Sequence, residues 1–248
     1  MPEEISRELK KVRRRHLTER LETLRTRTQV IEQELSKYTN DFFRVCIFGS
    51  ARIKPNDEIY QQTEQLAFLL GQAGIDVLTG GGPGLMEAAN KGAKAGRLSS
   101  GSKSKSFGIS IELDFEKVPN EHLDIKHHHR RFSSRLDDFM RLSNAIIVTP
   151  GGIGTLLELY FCWQLLQVKH LTERPIVLLD KKFWEGLIQW MNDQQVGKKL
   201  VSPPDLRFAH VVDTPEEVMA IITPEYNRFR ENLAVTNRIL PSAPAPEK

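Results

Sequence analysis

Ala145-Ile146-Ile147-Val148-Thr149-Pro150-Gly151-Gly152-Ile153-Gly154-Thr155-Leu156-Leu157-Glu158 passes from a run of apolar residues, through a glycine-rich turn, into a stretch of helical spacing. Apolar residues in succession, rather than in alternation, mark a strand covered on both faces. Such strands belong to parallel sheets sandwiched between helices. The texture recurs outward from this stretch. Val45–Phe48, Ile75–Leu78, Phe107–Ile111, Ala145–Thr149, Ile176–Leu179 and His210–Val212 read as strands, and residues 57–73, 84–95, 130–142, 154–169, 183–194 and 215–232 between them read as helices. This alternation predicts βαβ units and one doubly wound α/β domain over residues 41–235. Gly96–Ser106 is small, polar and basic, and is expected to be a loop.

Residues 3–38 contain no Gly or Pro, and Ile5, Leu9, Val12, Leu17, Leu21, Leu24, Ile31 and Leu35 recur near the helical period. They predict an amphipathic helical arm, residues 1–40, ahead of the domain. Its apolar stripe has no sheet of its own to cover, so packing against the core or a second subunit is expected. Residues 236–248, which include Pro241–Lys248, are expected to be a disordered tail. No internal repeat is present.

The chain has 248 residues, 40% of them apolar and 27% charged, the profile of a soluble globular protein. No stretch approaches the roughly 18 uninterrupted apolar residues of a membrane span, and the charged N-terminus is unlike a signal peptide, so a cytoplasmic protein without a membrane partner is expected. The net charge of +3 does not demand a nucleic-acid partner; the ten Lys/Arg against seven Glu in residues 1–40 hold the whole excess. Cys46 and Cys162 are too few and too far apart for a bridge framework or a zinc site, and read as buried thiols. His127-His128-His129 invites a metal, but consecutive side chains diverge, and metal sites normally combine His with spaced carboxylate or Cys ligands. No metal is expected.

Ligands of an open parallel sheet bind beyond the carboxyl ends of its strands. Three turns lie there: Phe48-Gly49-Ser50-Ala51-Arg52 after the first strand, Thr79-Gly80-Gly81-Gly82-Pro83-Gly84-Leu85-Met86 after the second, and Thr149-Pro150-Gly151-Gly152-Ile153-Gly154-Thr155 after the fourth. Glycine lets backbone amides approach a ligand, and the following helix adds unpaired N–H groups and the positive end of its dipole. Together they suggest a phosphate. Leu85 stands where the third glycine of G-x-G-x-x-G would fall, and neither glycine-rich turn ends in Lys-Ser/Thr, so dinucleotide and P-loop motifs are disfavoured.

Glu158 lies one turn inside the helix that Gly154-Thr155 begins, which suits catalysis but also the capping box Thr155-x-x-Glu158. Spacing leaves both readings open. Arg135 is equally ambiguous among Arg130, Arg131 and Arg141, with Asp137 and Asp138 at hand to pair. Glu87 could face the cleft or favour the start of its own helix.

Thr79–Met86 with Asn90-Lys91-Gly92-Ala93, followed by Pro150–Glu158, resembles the LONELY GUY family, long mislabelled as lysine decarboxylases. The resemblance runs from about Arg44 to Val212 and includes Ile111-Glu112-Leu113 with Pro119-Asn120, Phe132 three residues before Arg135, and Phe183–Leu187. It implies a Rossmann-like fold, a dimer or larger homo-oligomer, and hydrolysis of nucleoside 5′-monophosphates to free base and ribose 5-phosphate without a cofactor. By position, Arg135 and Glu158 match the family's catalytic pair. The implied phosphate and substrate contacts fall on Gly49, Ser50, Gly80, Gly81, Gly82, Gly84, Met86, Glu87, Gly151, Gly152, Gly154 and Thr155. The plant-type motif has Arg-Lys where this chain has Arg135-Leu136; bacterial nucleotide 5′-monophosphate nucleosidases of similar sequence also carry Arg-Leu. A nucleotide or cofactor carrier of the same fold is the alternative, since phosphate-binding turns serve carriers equally well.

Overall fold

The computed structural model describes residues 14–15, 17–28, 42–111 and 119–239, with side chains to residue 235. The chain divides into two units, residues 1–42 and 43–248. In the first, residues 17–28 are helical, which agrees with the expected arm as far as it is described. Arg15 pairs with Glu19 at 3.1 Å, and the hydroxyls of Thr18, Thr23, Thr26 and Thr28 each donate to the carbonyl one turn back. Leu17, Leu21 and Leu24 form one apolar row, each more than half exposed. The remainder of the arm, residues Glu112 and Leu113, and the tail from residue 240 lie outside the described residues.

The second unit is a seven-stranded sheet, parallel throughout, of β1 (Arg44–Phe48), β2 (Asp76–Thr79), β3 (Ser106–Ile111), β4 (Ile125–His129), β5 (Ala145–Val148), β6 (Ile176–Leu179) and β7 (Ala209–Val212) in the order β4-β3-β2-β1-β5-β6-β7. Both faces are covered, as the apolar runs require. In β5, Ile146 and Val148 face a core with Phe48, Phe139, Leu159, Trp163 and Trp184, whereas Ala145 and Ile147 face another with Leu66, Leu70, Ala89, Val218 and Ile222. Helices α3 (Phe132–Leu142), α4 (Ile153–Gln167) and α5 (Lys181–Trp190) supply the first layer; α1 (Glu58–Gln72), α2 (Leu85–Ser100) and α6 (Pro215–Ile239) supply the second. The chain winds from β1 toward β4 on one side and from β5 toward β7 on the other. This reversal opens a crevice above the carboxyl ends of β1 and β5.

The structure corrects the sequence reading in several places. The expected loop at residues 96–106 begins later, because α2 continues to Ser100 and ends at Gly101 with φ +68°. Its glycines serve packing: a Cβ on Gly92 or Gly96 would collide with the backbone carbonyl of Glu64 or Phe68 in α1, and one on Gly71 with that of Ala93. The two helices therefore touch backbone to backbone, and the hydroxyls of Ser99 and Ser100 donate to the Gly96 carbonyl instead of disrupting the turn. Strand β4 escaped the sequence reading altogether. Polar residues suit this edge strand, which pairs with β3 alone and leaves Lys126 and His128 exposed. The three histidines thus alternate along a strand. Helix α5 passes into a π turn at Met191–Val196, and α6 runs beyond residue 232 to Ile239.

Candidate active site

Three turns are tied together above β1 and β5. The backbone N–H and the hydroxyl of Thr149 both donate to the Phe48 carbonyl, at 2.8 and 2.9 Å, and Ser50 N–H donates to the Pro150 carbonyl at 3.1 Å. Leu85 N–H donates to the Ser50 carbonyl at 2.9 Å. A Cβ on Gly84, which has φ +69°, would strike that same carbonyl, so glycine is required on both conformational and steric grounds. These bonds bring the start of α2, the loop after β1 and the start of α4 around one cavity of about 550 Å³.

Gly152 is the N-cap of α4, and nothing lies within 4 Å of where a Cβ on Gly152 or Gly154 would be. The first-turn N–H groups of α4 therefore meet open space, which suits an anion. Thr155 is the third residue of α4, not its cap, and the helix has no side-chain cap. Of the two readings that spacing left open for Glu158, the capping box with Thr155 is not formed. Glu158 instead turns into the cavity, where its carboxylate lies 3.4 Å from Nη1 of Arg135.

Arg135 is held from three sides. Its Nε donates to the Ile109 carbonyl at 2.8 Å, and its guanidinium lies 5.0 Å from the centre of the Phe139 ring. Beneath it is Gly80, where a Cβ would come within 2.5 Å of Nη2 and 2.7 Å of the Met86 sulfur. The side chains of the pair are only 12% and 13% exposed, which strengthens their attraction beyond that of a surface pair. Asp138, a candidate partner for Arg135 by sequence, bonds Arg141 and His129.

Of the residues singled out by sequence, Gly49, Ser50, Met86, Arg135, Gly152, Gly154, Thr155 and Glu158 line this cavity. Gly80, Gly81, Gly82, Gly84, Glu87 and Gly151 are not in its lining. Gly81 N–H donates to the Thr79 hydroxyl, and the Gly81 and Gly82 carbonyls accept from Asn120. Asn120 also donates to the Asn90 side chain, itself bonded to Thr79 and Ser106, so this part of the turn rests on a buried polar network. Four more lining residues, Ala51, Arg52, Phe132 and Ile153, stood within the motifs read from the sequence but were given no role there. Their one signal was adjacency: each stands within three residues of a residue already singled out.

Behind the site, burial and, second to it, the charge of Glu158 push the Cys46 thiol well up; burial pushes Cys162 up to about 12. Both thiols are buried and unpaired, as expected. Among the described residues no group of three or more His, Cys, Asp or Glu is placed to hold a metal, and no helix is long and apolar enough to cross a membrane.

Residues 86–222, more than half of the chain, match the family described as "Possible lysine decarboxylase". A pyrimidine/purine nucleotide 5′-monophosphate nucleosidase of Escherichia coli (strain K12) is 31% identical over 119 residues, 47% of this chain and 26% of that protein. The match thus spans about a quarter of that relative's length. A probable cytokinin riboside 5′-monophosphate phosphoribohydrolase of Oryza sativa subsp. japonica is 29% identical over 209 residues, covering 82% of this chain and 93% of the relative. Among solved structures, the molybdenum cofactor binding protein of Rippkaea orientalis superposes with a TM-score of 0.53 at 20% identity, covering 74% of this chain and 96% of that one. The molybdenum cofactor carrier protein of Chlamydomonas reinhardtii gives 0.51 at 19% identity, covering 75% and 99%. At these identities the two structures establish the shared fold.

Proposed function

The chain belongs to the possible lysine decarboxylase family, the LONELY GUY family of the sequence resemblance, and we propose that it hydrolyses the N-glycosidic bond of nucleoside 5′-monophosphates to free base and ribose 5-phosphate. The observation that carries this reading is the Arg135–Glu158 pair, enclosed in the same cavity as the open N-terminus of α4. The names of the Escherichia coli and rice relatives support it.

The chemistry follows from the side chains. The 5′-phosphate sits on the first-turn N–H groups of α4 at Gly152 and Gly154, where no side chain intervenes. Anchoring it fixes the ribose over Glu158 and removes the entropy of orientation from the chemical step. As the C1′–N bond breaks, positive charge develops on the ribosyl C1′–O4′ unit. The Glu158 carboxylate faces that charge and orients and deprotonates the attacking water, while the base departs with the bonding electron pair and takes up a proton. Arg135, fixed by Ile109 and Phe139, stands beside the Glu158 carboxylate and donates to the sugar hydroxyls.

The apolar row Leu17, Leu21 and Leu24 supports a homo-oligomer, and two buried unpaired thiols support a reducing compartment, the cytoplasm. The test of function is a panel of nucleoside 5′-monophosphates and the matching nucleosides, assayed for free base. Cleavage of monophosphates with little action on nucleosides is the expected result. Binding without release of base would favour the carrier reading, and equal rates on nucleosides would contradict a phosphate anchor.

A further inference from the structure

Phe132 opens α3 and lines the cavity, is 52% exposed as a residue, and takes part in no ring pair or cation–π contact among the described residues. A phenyl ring left half in water forgoes roughly 25 cal/mol for each Å² of apolar surface, which is a reason to look for what covers it. Its place in the fold points to one occupant. Arg135 is three residues further along α3, so Phe132 stands about 4.5 Å closer to the sheet's carboxyl edge, near the cavity mouth. Helix α4 begins at that same edge, and its open glycine N-terminus lies across the cavity. The Arg135–Glu158 pair sits deeper, between the two helix starts.

A nucleotide whose phosphate takes the N-terminus of α4 and whose C1′ lies over Glu158 must direct its remaining part, the base, to the side away from the phosphate. Phe132 is the aromatic surface there. The other newly found apolar wall is Ile153, 88% exposed at the mouth, and Met86 lies beside Gly80 near the floor. Apart from the catalytic pair, the polar side chains in the lining are Ser50, Arg52 and Thr155, all next to the glycine turns. Among the described residues, no amide or second carboxylate in the lining offers a hydrogen-bond pattern that reads a base edge.

We propose that Phe132 is the stacking platform for the nucleobase, so that affinity for the base comes from its π-face and not from its edge. The inference rests on the hydrolase reading for the placement of phosphate and ribose. Base–aromatic stacking tolerates sequence because every base has a π-face. Purine and pyrimidine monophosphates therefore bind with affinities that follow ring size, AMP and GMP ahead of CMP and UMP, with little discrimination within each pair.

The test compares AMP with ribose 5-phosphate, the same ligand without a base, by calorimetry on the full chain carrying Glu158→Gln so that AMP stays intact. The expected result is that Phe132→Ala weakens AMP binding about tenfold, leaves ribose 5-phosphate unchanged, and is rescued by Phe132→Tyr. Unchanged affinity for AMP would overturn the inference, as would an equal loss for both ligands, which would make Phe132 a wall of the whole cavity. A chain that releases base from AMP yet ignores Phe132→Ala refutes the platform and keeps the hydrolase. One whose AMP preference collapses in Phe132→Ala, but whose native form never releases base, keeps the platform and refutes the hydrolase.

Discussion

Replacing Glu158 with Gln changes charge while preserving size, and the structure sets the size of the effect. The carboxylate is 13% exposed, within 3.4 Å of one cation, and opens onto the cavity. A full charge about 4 Å away at an effective dielectric constant of about 20 is worth about 4 kcal/mol. The ribosyl unit carries only part of a charge at the transition state, so ~3 kcal/mol is the expected loss, or a fall in kcat of roughly 10²–10³. The ground-state ribose is neutral, so KM should move by no more than about threefold. Glutamine's carbonyl still accepts from Arg135, which protects the fold: a cost of about 1 kcal/mol lowers the melting midpoint by only about 2–4 °C in a chain of this size. Release of free base from AMP, followed chromatographically beside a thermal melt, measures both. A kcat within tenfold of the parent, in a variant that melts normally, would remove Glu158 from the chemistry and leave it a structural partner of Arg135.

Three further substitutions probe other parts of the reading. Gly152→Val covers the open N-terminus of α4 without meeting any neighbour, so KM for AMP should rise about tenfold with the melting midpoint unchanged; an unchanged KM would move the phosphate elsewhere. Gly92→Ala sets a methyl group against the Glu64 carbonyl and should cost roughly 1–3 kcal/mol in a denaturant titration despite alanine's better helix propensity; a gain in stability would show that α1 and α2 separate freely. Deleting residues 1–38 should give a smaller particle in light scattering than the full chain does, and identical assembly would refute the arm's part in the oligomer.

How much was legible in the sequence follows from what each residue experiences. Strands such as Ala145–Val148 were legible because burial on both faces leaves only apolar side chains, and the glycine turns because the side chains of Thr149 and Leu85 exclude a Cβ at Gly49 and the backbone of Ser50 and Ala51 excludes one at Gly84. Strand β4 was not, since an edge strand half in water is free to be Lys-His-His-His, and one-dimensional spacing says nothing of a neighbour. The loop expected at Gly96 shows the converse failure. Glycine and serine there suggest flexibility by composition, but the glycines are contacts with α1, a fact held by Glu64 and Phe68 some thirty residues away. The capping box failed for a similar reason: α4 starts at Ile153, two residues before Thr155, because Gly152 can serve as a cap without any side chain.

The cost of the Arg135–Glu158 pair bears on whether this cavity turns over a substrate or only holds one. Two charges withdrawn from water incur a desolvation penalty of several kcal/mol each, and a pair often does no more for stability than apolar residues of equal volume. The Nη1 to Oε1 contact at 3.4 Å is long for a charge-assisted bond, while the better bond of Arg135, at 2.8 Å, goes to the Ile109 carbonyl. A carrier needs only an anion site, and the N-terminus of α4 supplies that with backbone alone. A buried carboxylate facing the cavity adds nothing to a carrier and serves a hydrolase, because the charge it opposes appears only as the glycosidic bond breaks.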